Sequence, residues 1–192
     1  MTAQHVIDAR ETIETCTVIV SQFEVPEAAV LEAMRFGKEK GITTILNPAP
    51  ARQTDLDLLA YVDILTPNTT ELRILLGLAP DDPTPTLELA HQLLTYGVGT
   101  IVVTLGKEGA LIVTSDGSVA VSAIPIQPVD VTGAGDSFNA MLAMRISQGW
   151  SIQDAVAEAV YAGAYAATSW GVIDGLATQE QLTAFKQQHG HA

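Results

Sequence analysis

The residues best suited to chemistry lie in one run, Val129-Asp130-Val131-Thr132-Gly133-Ala134-Gly135-Asp136-Ser137-Phe138. Two glycines let the backbone turn tightly and aim successive N–H groups at one point, and a helix starting there adds its own unpaired donors. Such a nest holds a phosphate through amides and the helix dipole, with no lysine or arginine required. Asp136, on the first turn of that helix, has two readings of even weight. It is either a capping carboxylate in a glycine turn or a general base that takes the proton of a hydroxyl attacking phosphorus.

Three more segments follow strands and carry polar or stiff residues. In Thr66-Pro67-Asn68-Thr69-Thr70-Glu71 a strand gives way to a helix, with Asn68 and Glu71 on the same side of its first turn. That pair suits a phosphate oxygen and a water of Mg2+, and equally suits a helix cap with its dipole partner. Thr104-Leu105-Gly106-Lys107-Glu108-Gly109 leaves one strand and enters the next through two glycines. Backbone in such a loop can approach a nucleotide closely, or simply connect two strands; it fits neither the P-loop nor the dinucleotide fingerprint. Asn47-Pro48-Ala49-Pro50-Ala51 has two prolines that stiffen a strand exit, as a ligand wall or as plain termination.

The elements that must position these segments are short β-branched runs alternating with helical patterns. Thr17–Val20, Thr43–Leu46, Val62–Leu65 and Thr100–Val103 read as buried strands, which predicts βαβ units and a parallel sheet. Ala29, Val30, Ala33, Met34 and Gly37 share one face of a helix that opens at Pro26 and closes at Gly41, and Leu87, Ala90, Leu93 and Leu94 form a similar stripe. Ser115-Asp116-Gly117-Ser118 between Ala110–Thr114 and Val119–Ala123 predicts an antiparallel edge hairpin. Helices are expected over Asp136–Gln148, Ile152 to about Thr168 and Thr178–Gln188, the last two with Ser151/Asp154 and Thr178/Gln181 at capping-box spacing.

Composition narrows the function classes. Nine basic against 22 acidic side chains leave a formal charge of −13, which disfavours nucleic acid and anionic membranes as partners. No apolar run reaches the roughly 20 residues of a membrane span, and Met1–Ala9 has no leader pattern, so a cytoplasmic protein is expected. Cys16, the only cysteine, reads as a strand residue facing the core. His5, His91, His189 and His191 are too scattered to converge on a metal. The 192 residues read as a single domain over 1–192.

Taken together and in this order, the four segments resemble the ribokinase family, the PfkB-type carbohydrate kinases, from about Val18 to the C-terminus. The Asn-Pro-Ala-Pro run resembles the ribokinase branch. The resemblance implies a ribokinase-like, Rossmann-type three-layer α/β/α fold with a mostly parallel sheet and an antiparallel edge hairpin, N-terminally truncated because the family's sugar-binding segment and lid have no counterpart here.

It further implies transfer of the γ-phosphate of MgATP to a pentose hydroxyl, ribose first. Gly133, Ala134 and Gly135 form the anion hole and Asp136 is the base. Nucleotide contacts fall to Asn68, Glu71, Thr104, Leu105, Gly106, Lys107, Glu108, Gly109, Gly135, Asp136 and Val160, with Glu71 on Mg2+ through water. Glu24, with Asp136, meets the sugar. Asp130, Thr132, Ala166, Ser169, Gly171 and Gly175 fall where the family binds an activating monovalent cation, usually K+. Ser169 replaces a usual basic residue, and Val160 an Asn or His near adenine. A missing lid also admits another expectation, a nucleotide-binding remnant or a half-kinase acting with a separate N-terminal partner or as a homodimer.

Overall fold

The computed structural model describes residues 1–190 and comprises two compact units. The first holds residues 1–104 and 111–119, the second 105–110 and 120–190.

The first unit opens with two short helices, α1 (Ala3–Asp8) and α2 (Arg10–Ile13), which have no hydrophobic period long enough to read from sequence. Then follow β1 (Val18–Gln22), α3 (Glu27–Lys40), β2 (Thr43–Asn47), a 3-10 helix over Leu56–Tyr61, β3 (Ile64–Leu65), α4 (Thr69–Leu75), α5 (Thr86–Leu94) and β4 (Thr100–Thr104). A hairpin of β5 (Ala110–Thr114) and β6 (Gly117–Val121) completes a sheet of order β1-β2-β3-β4-β5-β6. Strands β1 to β4 are parallel, with Val18 opposite Thr43 and Ile64 opposite Thr100. The two residues between β5 and β6 are too few for a crossover, so that pair is antiparallel.

The core of this unit is the expected one. Ile45, Leu46, Leu65, Ile101, Val102 and Val103 of the strands are buried beneath Val30 and Met34 of α3 and Leu89, Ala90 and Leu93 of α5. Gly41 closes α3 in the left-handed conformation, φ 69°. In α5 the stripe is rotated from expectation: Leu87 is exposed and Leu89 takes its place, because 86, 89, 90 and 93 form the inward face. Cys16 is also corrected. It lies ahead of β1 and is exposed, its thiol donating to the Thr12 carbonyl at 3.8 Å. Residues 62 and 63 flank a β3 of two residues rather than extending it.

Glu32 is a buried acid on α3, paired with Arg10 of α2 and Arg35. Burial pushes its carboxyl up, but the two guanidiniums outweigh burial and hold it below the usual carboxylate range. This pairing fastens α2 to α3.

The second unit is built on α6 (Ala134–Ser147), α7 (Ile152–Ala166) and α8 (Gln179–His189). Ser151 accepts from the Asp154 amide at 3.1 Å, and Thr178 and Gln181 form a reciprocal box, as their spacing predicts. Phe138 and Leu142 of α6, Val156 and Ala159 of α7 and Leu182 and Phe185 of α8 are buried. Glu158, buried on α7, pairs with Arg145 of α6 and Lys186 of α8, so one carboxylate ties three helices. Gly163 matters because a Cβ there would lie 3.1 Å from the Ala134 carbonyl; lacking one, α7 approaches the mouth of α6 closely.

No helix among the described residues is long and apolar enough to cross a membrane. His191 lies outside the described residues. Among those described, no group of three or more His, Cys, Asp or Glu could hold a metal ion.

Candidate active site

The second unit carries the glycine run. Gly133 precedes α6 with φ 80°, the left-handed region that a side chain would strain. The turn points the chain into the helix: Ser137 N donates to Gly133 O at 2.9 Å and Ala134 N to Val131 O at 3.2 Å. The amides of Gly133 and Gly135 donate to no acceptor among the described residues. A Cβ on Gly135 would meet nothing within 4 Å, so there is open space beside it. Asp136 follows on the same first turn and is exposed. The arrangement is a helix mouth with two unspent amides and a carboxylate on the same turn, a set of groups chemically suited to an anion and an adjacent hydroxyl.

Two residues that sequence reasoning passed over belong to this turn. Asn139, buried, donates to Gly135 O at 2.9 Å and stiffens the first turn from within. Ser137 Oγ is shut from solvent with no hydrogen-bond partner among the described residues. Neither has a distinctive spacing, and their partners are backbone atoms that a sequence does not display.

Asp130, Thr132 and the loop after α7 also come together in this unit. Asp130 accepts from Thr132 Oγ1 at 2.7 Å, from Thr132 N at 2.9 Å and from Gly171 N at 3.1 Å. These donors, the Thr132 hydroxyl first, hold its carboxyl below the usual range. Ser169 N reaches Ala166 O at 3.4 Å, and a Cβ on Gly175 would lie 3.0 Å from the same carbonyl. The structure thus ties Asp130, Thr132 and Gly171 into one hydrogen-bonded cluster, and brings Ser169 and Gly175 to the Ala166 carbonyl.

The Leu105–Gly109 loop is a tight turn. Leu105 N donates to Gly109 O at 2.8 Å and Gly109 N to Gly106 O, while Lys107 and Glu108 are exposed. Gly109 is obligatory: at φ 98° its Cβ would lie 2.0 Å from Val121 O. Val160, on α7, is 8% exposed and so has almost no surface to offer a base.

In the first unit the other candidates sit at the carboxyl ends of strands. Asn68 caps α4: its Oδ1 accepts from Thr70 N and Glu71 N at 2.9 and 2.8 Å, and Glu71 Oε2 accepts from Asn68 N at 2.8 Å. The capping reading of this pair is therefore realised, and Asn68 Nδ2 and Glu71 Oε1 remain for other work. Burial pushes the Glu71 carboxyl up, only partly offset by the Asn68 amide. Thr104 pairs with Asn68 as a parallel bridge, and Thr104 N donates to Pro67 O at 2.9 Å. Glu24 is exposed in the turn after β1.

A family model for "pfkB family carbohydrate kinase" matches residues 2–179. The chain belongs to that family. The sequence of a Staphylococcus aureus ribokinase is 35% identical over 160 residues, covering 83% of this chain and 52% of that one. A Salmonella typhimurium deoxyribokinase is 36% identical over 178 residues, 92% of this chain and 58% of its own. Among solved structures, Thermotoga maritima ribokinase matches with TM-score 0.85 at 27% identity, covering 93% of this chain and 59% of that chain. Arabidopsis thaliana ribokinase complexed with ribose and ATP matches with TM-score 0.86 at 26% identity, covering 93% and 58%. The fold is thus of the ribokinase-like α/β class, as the pfkB resemblance implied. This pfkB chain spans about half the length of the curated relatives it matches.

Proposed function

We propose that the chain is the phosphate-handling portion of a cytoplasmic pentose kinase that moves the γ-phosphoryl group of MgATP to a sugar hydroxyl. The observation that carries this reading is the first turn of α6, where left-handed Gly133, the unspent amides of Gly133 and Gly135 and the Asp136 carboxylate share one short segment. The amides take the charge spread over the transferring phosphoryl oxygens, and Asp136 accepts the hydroxyl proton as the O–P bond forms and ADP departs.

The remaining residues divide the substrates among them. Asn68 Nδ2 takes a phosphate oxygen and ionised Glu71 a water of the magnesium that arrives with ATP. Thr104 and the Leu105–Gly109 loop lie along the nucleotide through their backbone, and the base makes its contacts without Val160. Glu24 accepts from a sugar hydroxyl. Asp130, Thr132 and the carbonyls of Ala166, Ser169, Gly171 and Gly175 would hold K+, which fixes the two loops beside the α6 turn. Ribose and deoxyribose are both supported as acceptors, since relatives of each name match at similar identity.

A coupled ADP-release assay with D-ribose or 2-deoxy-D-ribose, Mg2+ and K+ tests the reading. Asp136→Asn is expected to lower kcat by about 10²- to 10⁴-fold in a protein that still folds and binds MgATP. An Asp136→Asn protein as active as its parent overturns the assignment.

In a second reading these residues bind nucleotide by themselves and transfer phosphate only together with a sugar-binding segment, supplied by a separate partner or a homodimer; the chain spans about half the length of its curated relatives. Calorimetry separates the two. ATP heat without ribose heat favours the second reading, and ribose heat favours the first.

A further inference from the structure

The Asn47–Arg52 segment has no part in phosphate handling, yet it is closely fastened. Asn47 is buried at the end of β2; its Oδ1 accepts from Ala49 N at 3.0 Å and its Nδ2 reaches Thr66 O at 3.4 Å. Two prolines remove freedom from the same stretch. Arg52 follows it and turns back towards the exit of the neighbouring strand. Its guanidinium lies 4.6 Å from the centroid of the Phe23 ring, and its Nη2 stands 3.8 Å from Glu27 Oε2. Phe23 N donates to Ala49 O at 2.7 Å, so the turn after β1 is held at its base by the loop after β2.

Stability explains this arginine poorly. An ion pair this long, with both partners partly exposed, contributes little. Its Nε and Nη2 are shut from solvent and donate to no acceptor among the described residues, which costs the fold. What Arg52 does is stack on one end of a turn, Phe23, and face the other, Glu27, with Glu24 exposed between them.

We infer that Arg52 is a positioning residue for sugar recognition: by stacking on Phe23 and facing Glu27 it fixes the turn that presents Glu24. The inference rests on Glu24 being the sugar contact. A carboxylate on a turn already fixed loses less freedom when it engages a hydroxyl than one on a loose turn. A planar, delocalised cation suits both contacts at once, whereas an ammonium retains the charge without the stack.

The test compares Arg52→Ala, Arg52→Lys and Glu24→Ala with the parent by amide hydrogen exchange over residues 22–27 and by kinetics with D-ribose. Arg52→Ala is expected to speed exchange of the Phe23 amide and to raise the ribose KM about ten- to a hundredfold. ATP KM and kcat stay within about twofold, and Arg52→Lys recovers part of the loss. Adding Arg52→Ala to Glu24→Ala brings no further rise in KM, because one group acts through the other.

Unchanged exchange with an unchanged ribose KM overturns the inference. So does an equal rise in both KM values with a lowered thermal midpoint, which marks general loosening. If Arg52→Ala does not fold, Arg52→Lys carries the same comparison. A parent with neither turnover nor ribose heat overturns the sugar reading and the role of Glu24 with it, while faster exchange in Arg52→Ala would still support the clamp on the turn.

Discussion

The cap of α4 and the proposed function ask two things of Glu71 that pull its charge in opposite directions. As the third residue of α4 it accepts from Asn68 N, which a neutral side chain does nearly as well. In the proposed role of holding a magnesium water it must be ionised, and burial raises its pKa. Its native pKa lies above the unfolded one, so protonated Glu71 favours the fold, and that contribution fades as pH rises through the native value. Metal affinity in the proposed role runs the other way, strengthening over the same window, above the ordinary glutamate value. Glu71→Gln should therefore keep the thermal midpoint at neutral pH close to the parent's while weakening MgATP binding about tenfold and flattening its pH dependence, as calorimetry between pH 4.5 and 7 would record. The glycine turn that opens α6 ahead of Asp136 and the Asn68/Glu71 cap were legible because glycines and capping residues announce themselves locally. Arg52, Asn139 and Ser137 were not, since their significance lies in a ring, a carbonyl or an absent partner that only the folded chain supplies.

At the scale of elements, hydrophobic period and caps located the four parallel strands, the edge hairpin and the last three helices to within a few residues. The failures have definite causes. Helices α1 and α2 are too short to show a period, and Cys16 belonged to the turn before β1 although its neighbours were β-branched. The network joining α6, α7 and α8 was equally hidden, because Arg145, Glu158 and Lys186 are remote in sequence. Arg145 is well enclosed there, also stacking on Trp150 at 4.6 Å. Glu158→Ala leaves that cation without its carboxylate, and chemical denaturation should register a loss of about 3 kcal/mol or more. Replacing Glu39, exposed and paired with Arg35 at 3.5 Å, should cost under about 1 kcal/mol.

For the whole molecule, a charge of −13 repels itself at every pH where the carboxylates are ionised. Screening relieves this, so the thermal midpoint should climb when choline chloride, which brings no alkali cation, is raised from about 10 to 300 mM, a range that shortens the Debye length from about 30 to 6 Å. Scanning calorimetry settles the sign. A flat response would mean that ion pairs such as Lys38 with Asp63, which screening weakens, offset the relief. One contact inside the second unit has a mechanical meaning. Where α7 passes Ala134, Gly163 brings backbone against backbone, so the first turn of α6 rests directly on α7. A fluorophore on the solvent side of α7, behind Gly163, is expected to change its emission when an oxyanion occupies the proposed site at that turn.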